Sequence, residues 1–275
     1  MARVSVEPNL KLACEVDDHL WPWTKATPVL MLHGYARNAS FWNRWIPAVS
    51  EKHRVYRPEL RGCGHSDPPP RGYRFEPATI ARDILNVMDA HALERVHWVG
   101  ESSGGILGLF LAYTYPDRIA SVVACNSPIR VPDDIKRIYA LDKATSAEAM
   151  LTHGVAEWCR QTLKYRLDLE RASPELQEWY IEQLGKTPDY VAAALIECFD
   201  AVDLMPILRD VKAPVLLMTG DKSKLSSEQA ATMQRELPLG ELAVFEGYGH
   251  GINLLAPERC TREALAFWER VDAKS

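Results

Sequence analysis

The chain has no paired CxxC cysteines, no apolar run approaching the roughly 20 residues a membrane helix needs, and no excess of positive charge. Its six cysteines, Cys14, Cys63, Cys125, Cys159, Cys198 and Cys260, are widely scattered, which argues against a disulfide framework or a zinc site and for free thiols. With 32 basic against 37 acidic residues the formal charge is -5. Such a balance builds no continuous basic face for nucleic acid or for an anionic membrane. The opening MARVSVEPNL lacks an apolar stretch of signal-peptide character, so a cytoplasmic location is expected. Internal repeats and low-complexity tracts are absent too.

What is present is an apolar fraction of 47% in 275 residues, enough for one large core with a smaller insertion. LKLACEV at 10–16 alternates apolar and polar residues and reads as a half-buried strand. VLML at 29–32, RVYRP at 54–58, VHWVG at 96–100 and IASVVACN at 119–126 read as further strands. Residues 75–93 carry Ile80, Ile84, Val87 and Met88 at helical spacing, with Arg82, Asp83 and Asn86 expected on the wet side. SSGGILGLFLAYTYP is so apolar that its helix should be buried on most of its surface. This alternation of strand and helix predicts an α/β fold, a mostly parallel sheet flanked by helices on both faces.

Between about 129 and 210 the alternation stops and every segment is helix-like. Leu151, Val155, Trp158, Cys159 and Leu163 form an apolar stripe there. Strand signals return at PVLLMT (214–219) and LAVF (242–245), and PERCTREALAFWERV closes the chain as a helix with Pro257 near its start. The expected organisation is a core of residues 1–128 and 211–275 with an inserted helical cap, 129–210.

Gly100-Glu101-Ser102-Ser103-Gly104 fits G-x-S-x-G between a strand and an apolar helix, the context in which a sharp turn exposes a serine nucleophile. The tight backbone leaves no room for flanking side chains, and Ser102 would stand above a helix N-terminus able to stabilise negative charge. Ser103 is read as an oxyanion donor through its amide. His33-Gly34-Tyr35 follows a buried strand, making the Tyr35 amide the second donor; His33 itself is read as a structural histidine bonding a neighbouring loop. His250, between Gly249 and Gly251 after the last strand, is the candidate base, while His19, His53, His65, His91, His97 and His153 are read as solvated or structural.

The orienting acid is harder to place. Asp221 is the only acid in the turn after PVLLMT, and its competing reading is a turn-tightening residue facing solvent. Asn126, after VVAC, could orient an imidazole but not offset its charge. Glu101 is a third group close by, placed to meet substrate or a cap residue.

HGYA (33–36), RGCGHS (61–66), GESSGG (100–105), the 220–225 turn and GYGHG (247–251) together resemble the esterase, lactonase and cofactor-free haloperoxidase-like branch of the α/β-hydrolase superfamily. The resemblance covers nearly the whole chain. It implies Ser102 as nucleophile, His250 as base, Tyr35 and Ser103 as oxyanion donors, and the helical insertion as the cap that shapes the pocket. Three positions depart from the pattern. Ser223 stands where the branch commonly carries its aspartate, Asn126 where some lactonases carry their acid, and Glu59 where aspartate is usual.

The function these readings imply is two-step acyl transfer on a carboxylic ester or lactone of a medium-sized, largely apolar small molecule, with no metal or organic cofactor. Trp42, Trp158, Trp179 and Tyr180 are the pocket candidates, and Tyr139 and Phe199 add further aromatic surface. No nucleic-acid or membrane partner is expected, and a homodimer is left open. Carbon–carbon bond hydrolysis of a diketone, a hydroxynitrile-lyase-like reaction and a non-catalytic receptor are the alternatives.

Overall fold

A computed structural model describes residues 1–274. Its strands are β1 (Ala2–Glu7), β2 (Leu10–Asp17), β3 (Val29–Leu32), β4 (Val55–Pro58), β5 (Val96–Glu101), β6 (Ile119–Cys125), β7 (Val215–Gly220) and β8 (Gly240–Phe245). They form one sheet in the order β1-β2-β4-β3-β5-β6-β7-β8. Only β1–β2 and β2–β4 pair antiparallel; every other pair is parallel. Strands β3 to β7 are buried at every position, as helices on both faces require.

Because side chains alternate along a strand, one strand feeds two cores. Leu30, Leu32 and Trp98 point into the larger core, whereas Val29, Met31 and Val99 point into the second, closed by Phe267 and Trp268 of the helix Pro257–Asp272. The apolar helix Ser103–Thr114 lies against β5 and β6 and is buried along most of its length. Helix Pro77–Ala90 begins with proline at its first turn and buries Ile80, Ile84, Val87 and Met88. Asp83 departs from its expected wet side: it is buried and takes Arg61 in a two-pronged pair at 2.6 and 2.7 Å, which offsets the cost of its burial.

The helical insertion follows β6 and precedes β7, with helices Asp133–Ala140, Ser146–His153, Val155–Thr162, Pro174–Gly185 and Asp189–Asp200. Residues 146–163 do not form one helix. Gly154, at φ 81°, breaks the run, so Val155, Trp158, Cys159 and Leu163 are buried while Leu151, on the preceding helix, is exposed. The insertion is fastened over the C-terminal edge of the sheet by hydrogen bonds from Tyr35 Oη to the Ala192 carbonyl (2.7 Å), Thr187 Oγ1 to the Ala36 carbonyl (3.1 Å) and Tyr190 Oη to the Pro69 carbonyl (3.0 Å). Strand β1 and the helix Ser227–Glu236 are elements the sequence pattern does not announce. All six cysteines are buried and unbridged. Among the described residues no helix is long and apolar enough to cross a membrane.

Candidate active site

Ser102 sits at the turn between β5 and the helix Ser103–Thr114 with φ 53° and ψ −117°. A non-glycine residue held at positive φ stores strain that the surrounding packing must impose. Here the packing is explicit. A Cβ on Gly100 would overlap the Gly104 backbone, and one on Gly104 would come within 2.5 Å of the Leu32 carbonyl, so the turn closes only with glycine at both places. The Ser102 amide is tied to the Cys125 carbonyl at 2.9 Å, which fixes the turn to the end of β6.

The two amides expected to hold an oxyanion have no backbone acceptor among the described residues. Ser103 is the first residue of its helix and has no intrahelical acceptor for its N–H. Among the described residues no backbone carbonyl accepts from the Tyr35 N–H. His33 is locked by its own loop: Nδ1–H donates to the Gly34 carbonyl at 2.7 Å, and Nε2 accepts from the Leu60 amide at 3.1 Å. Burial holds its imidazole down to about 4. His33 is therefore neutral and occupied, with no nitrogen left for a general base.

His250 stands on a loop that the insertion clamps. The Gly249 amide donates to Asp168 Oδ2 at 2.8 Å, and the Asp168 amide donates to the His250 carbonyl at 3.1 Å. Ser102 and His250 line one cavity of about 30 Å³, room for about one water. Burial, and then the positive charges of Arg37 and Arg166, hold the His250 imidazole well below its usual range.

The structure does not bring Asp221 to His250. Its Oδ1 accepts from the Gly247 amide at 2.8 Å and the side chain is exposed, so it tightens the turn. The partner of His250 Nδ1 is Ser223 Oγ, at 3.2 Å. Ser226 Oγ donates to Ser223 Oγ at 2.9 Å, and Ser226 in turn meets Thr219 Oγ1 at 2.8 Å and accepts from Asn126 Nδ2 at 3.2 Å. Asn126 accepts from the Ile252 amide at 3.3 Å, beside the histidine loop. The position usually filled by a carboxylate thus carries a chain of neutral hydroxyls ending on an amide.

A carboxylate does reach the ring from the opposite side. Glu101 Oε1 lies 3.0 Å from His250 Nε2, and its other oxygen pairs with Arg37. All three side chains are buried. Among the described residues neither Glu101 oxygen makes a hydrogen bond, so beside the neutral ring this is a close approach that becomes an ion pair only when the imidazole is protonated. Arg37 also donates to the Tyr180 hydroxyl.

Arg166 completes the cluster from the insertion. It is 4% exposed, makes no ion pair and no side-chain hydrogen bond among the described residues, and leaves Nε unsatisfied. Its guanidinium lies 4.1 Å from the Trp158 ring centre, 4.7 Å from that of Tyr139 and 5.3 Å from that of Tyr35. Cation–π attraction of about 2 kcal/mol offsets only part of the cost of burying a cation.

The four aromatic pocket candidates lie elsewhere. Trp42 packs on Trp45 in the second core, and Trp179 packs on Phe41. Trp158 lies beneath Arg166 with Nε1 on the Tyr139 carbonyl at 2.7 Å, and Tyr180 serves Arg37. The aromatic residues that do line the cavity are Tyr35, Tyr139 and Phe199. Arg37 and Arg166 carry no sequence signal that would single them out, since Arg37 meets Glu101 across distant core loops and Arg166 arrives with the insertion. Among the described residues no group of three or more His, Cys, Asp or Glu side chains could hold a metal ion.

A strained serine between a buried strand and a buried helix shares one cavity with an imidazole and with Tyr35 and Ser103, at the edge of a mostly parallel α/β sheet. Residues 27–257 match the alpha/beta hydrolase fold family, and the chain belongs to it. The chain is similar to the putative carbamate hydrolase RutD of Azorhizobium caulinodans, 26% identical over 254 residues covering 90% of this chain and 92% of that one. It is similar also to 2-(acetamidomethylene)succinate hydrolase of Mesorhizobium japonicum, 28% identical over 237 residues and 84% of each chain. In fold it superposes on the enol-lactonase of Burkholderia xenovorans LB400 with a TM-score of 0.84 at 22% identity, covering 96% of this chain and 98% of that one.

Proposed function

We propose that the protein is a serine hydrolase that cleaves a carboxylic ester or lactone through an acyl-enzyme on Ser102. The observation that carries this reading is the strained Ser102 turn opening into the same cavity as His250. In the first step His250 Nε2 takes the Ser102 proton as Oγ attacks the carbonyl carbon. The tetrahedral oxyanion is received by the Tyr35 and Ser103 amides, each worth about 3 kcal/mol in such a role. The imidazolium then returns its proton to the leaving alkoxide. In the second step water gives a proton to the same nitrogen and hydroxide attacks the acyl carbon, releasing the acid and restoring Ser102.

The transient imidazolium needs a counter-charge, and Glu101 at 3.0 Å from Nε2 is the carboxylate that supplies it. Ser223 and its hydroxyl chain fix the ring orientation from the Nδ1 side. At about 30 Å³ the cavity is too tight for a substrate as it stands, so binding must open it through movement of wall side chains or of the insertion. The same residues would serve cleavage of an activated carbon–carbon bond, and product analysis separates the two.

The test is intact mass after exposure to a small alkyl fluorophosphonate, with Ser102→Ala in parallel. A single adduct on the native chain, absent from the variant, is expected. No adduct on a folded native chain overturns the acyl-enzyme reading.

A further inference from the structure

We infer that the substrate is an acid: its acyl chain carries a free carboxylate that docks on Arg166. This deepens the hydrolase reading and rests on it. Arg166 lines the cavity that holds Ser102 and His250, is nineteen-twentieths buried or more, and has no anionic partner among the described residues. The charges around the cavity do not cancel. Arg37 is spent on Glu101, His250 is neutral, and Arg166 remains as an unmatched cation. Asp200 feels its charge without pairing to it, and burial pushes that carboxyl up to about 6.

The aromatic faces of Trp158, Tyr139 and Tyr35 hold the guanidinium without using its N–H donors, because a ring face accepts the cation's charge and leaves the in-plane donors free. A planar fork of free donors in a dry site fits a carboxylate in a two-pronged pair. Ile106, Val131, Ile196, Phe199 and Leu225 make much of the remaining wall apolar, which, once the cavity opens, suits a short hydrocarbon spacer between that carboxylate and the carbonyl at Ser102. A second pocket of about 390 Å³ reaches His250 and Ser223 from outside and is lined by Lys164, Lys222 and Lys224, none of which forms an ion pair among the described residues. Asp168 and Glu170 line the same pocket, so the three lysines leave it only slightly positive, and it is Arg166 that favours an anionic substrate.

Docking of a carboxylate would also act on the base. Burial is the main cause of the low His250 basicity, with Arg37 and then Arg166 adding to it, so a carboxylate on Arg166 would relieve only the last of these.

The experiment compares 4-nitrophenyl hydrogen glutarate with the neutral 4-nitrophenyl pentanoate on native enzyme, Arg166→Gln and Arg166→Lys. Native enzyme should favour the acidic ester by about thirtyfold or more in kcat/KM, as expected when a buried charge pair is made. Arg166→Gln should abolish that preference by lowering kcat/KM far more for the acidic ester than for the neutral one, and Arg166→Lys should restore part of it. The acid limb of the neutral-ester pH profile should move to higher pH in Arg166→Gln and stay near its native position in Arg166→Lys, which keeps the charge. Calorimetry of monomethyl glutarate against methyl pentanoate on native protein and on Ser102→Ala tests the site without chemistry. Equal use or equal binding of the acidic and neutral compounds by the native protein overturns the carboxylate site, even if Ser102 is labelled. Selective binding of monomethyl glutarate without turnover supports it and overturns the hydrolase reading instead.

Discussion

The two sides of the His250 ring are built on opposite principles. Nδ1 faces neutral groups, Ser223, Ser226, Thr219 and Asn126, linked by hydrogen bonds of 2.8–3.2 Å. Nε2 faces a buried charge cluster in which Glu101 stands between the imidazole and Arg37. A hydroxyl chain can orient a ring but supplies little counter-charge, whereas a buried carboxylate supplies charge even where its alignment is poor. Orientation and charge compensation, which a single acid commonly provides together, are divided here between two faces of one side chain.

Breaking the charged face should cost most. Glu101→Gln keeps the shape and removes the counter-charge, and a fall in kcat of about 10²–10³-fold is expected from steady-state ester hydrolysis, the range for losing one preorganised electrostatic group. A fall below threefold would place the compensation elsewhere.

The next effect concerns stability and uses a contrasting histidine. His33 has neutral backbone groups on both nitrogens, and burial holds its imidazole at about 4, as it holds that of His97. Between pH 6.5 and 4 the unfolded chain binds more protons at these residues than the native one, so stability falls as pH drops through that window and levels off below it. Each histidine contributes about 3 kcal/mol to the fall. Asp200, raised to about 6, acts in the opposite direction and offsets part of it. Denaturant midpoints at pH 7 and pH 4.5 measure the difference; a flat profile would contradict the assignment of both histidines as buried and neutral.

On the hydroxyl face, Ser223→Ala should lower kcat by about tenfold or less, since it removes one neutral hydrogen bond to the ring. Ser223→Asp sharpens the comparison by joining charge to orientation on Nδ1. That variant should move the acid limb of kcat/KM to higher pH, and its activity should become less sensitive to loss of Glu101, which the double variant measures.

Most of the sheet was legible because buried parallel strands leave short apolar runs bounded by turn residues, as VLML and VHWVG do. Strand β1 was not, since half of its positions face solvent and its pattern depends on pairing with β2. Ser102 and His250 could be found because backbone geometry demands glycine beside them, and glycine is visible in a sequence. Arg166 reaches the site only when the insertion docks, and the contacts of Glu101 with Arg37 and His250 join distant loops of the core, so no local spacing marks either. Asp221 was attractive because it is the one acid in the right turn, but a carboxylate beside a glycine serves a neighbouring amide as readily as a distant imidazole.

The smallest expected effect is therefore the most direct check on which face carries the charge. Asp221 is exposed and bonded to the Gly247 amide, and Gly247 lies three residues before His250 in the same loop. Asp221→Asn keeps an oxygen to accept that hydrogen bond while removing the charge, so kcat/KM should change by about twofold at most. Asp221→Ala removes the acceptor as well and could loosen the loop, which would confuse position with charge; the asparagine variant avoids this. A hundredfold loss in Asp221→Asn would mean that the loop rearranges during turnover to bring this carboxylate to Nδ1, and the division between the two faces of His250 would then be a property of the closed, substrate-free state alone.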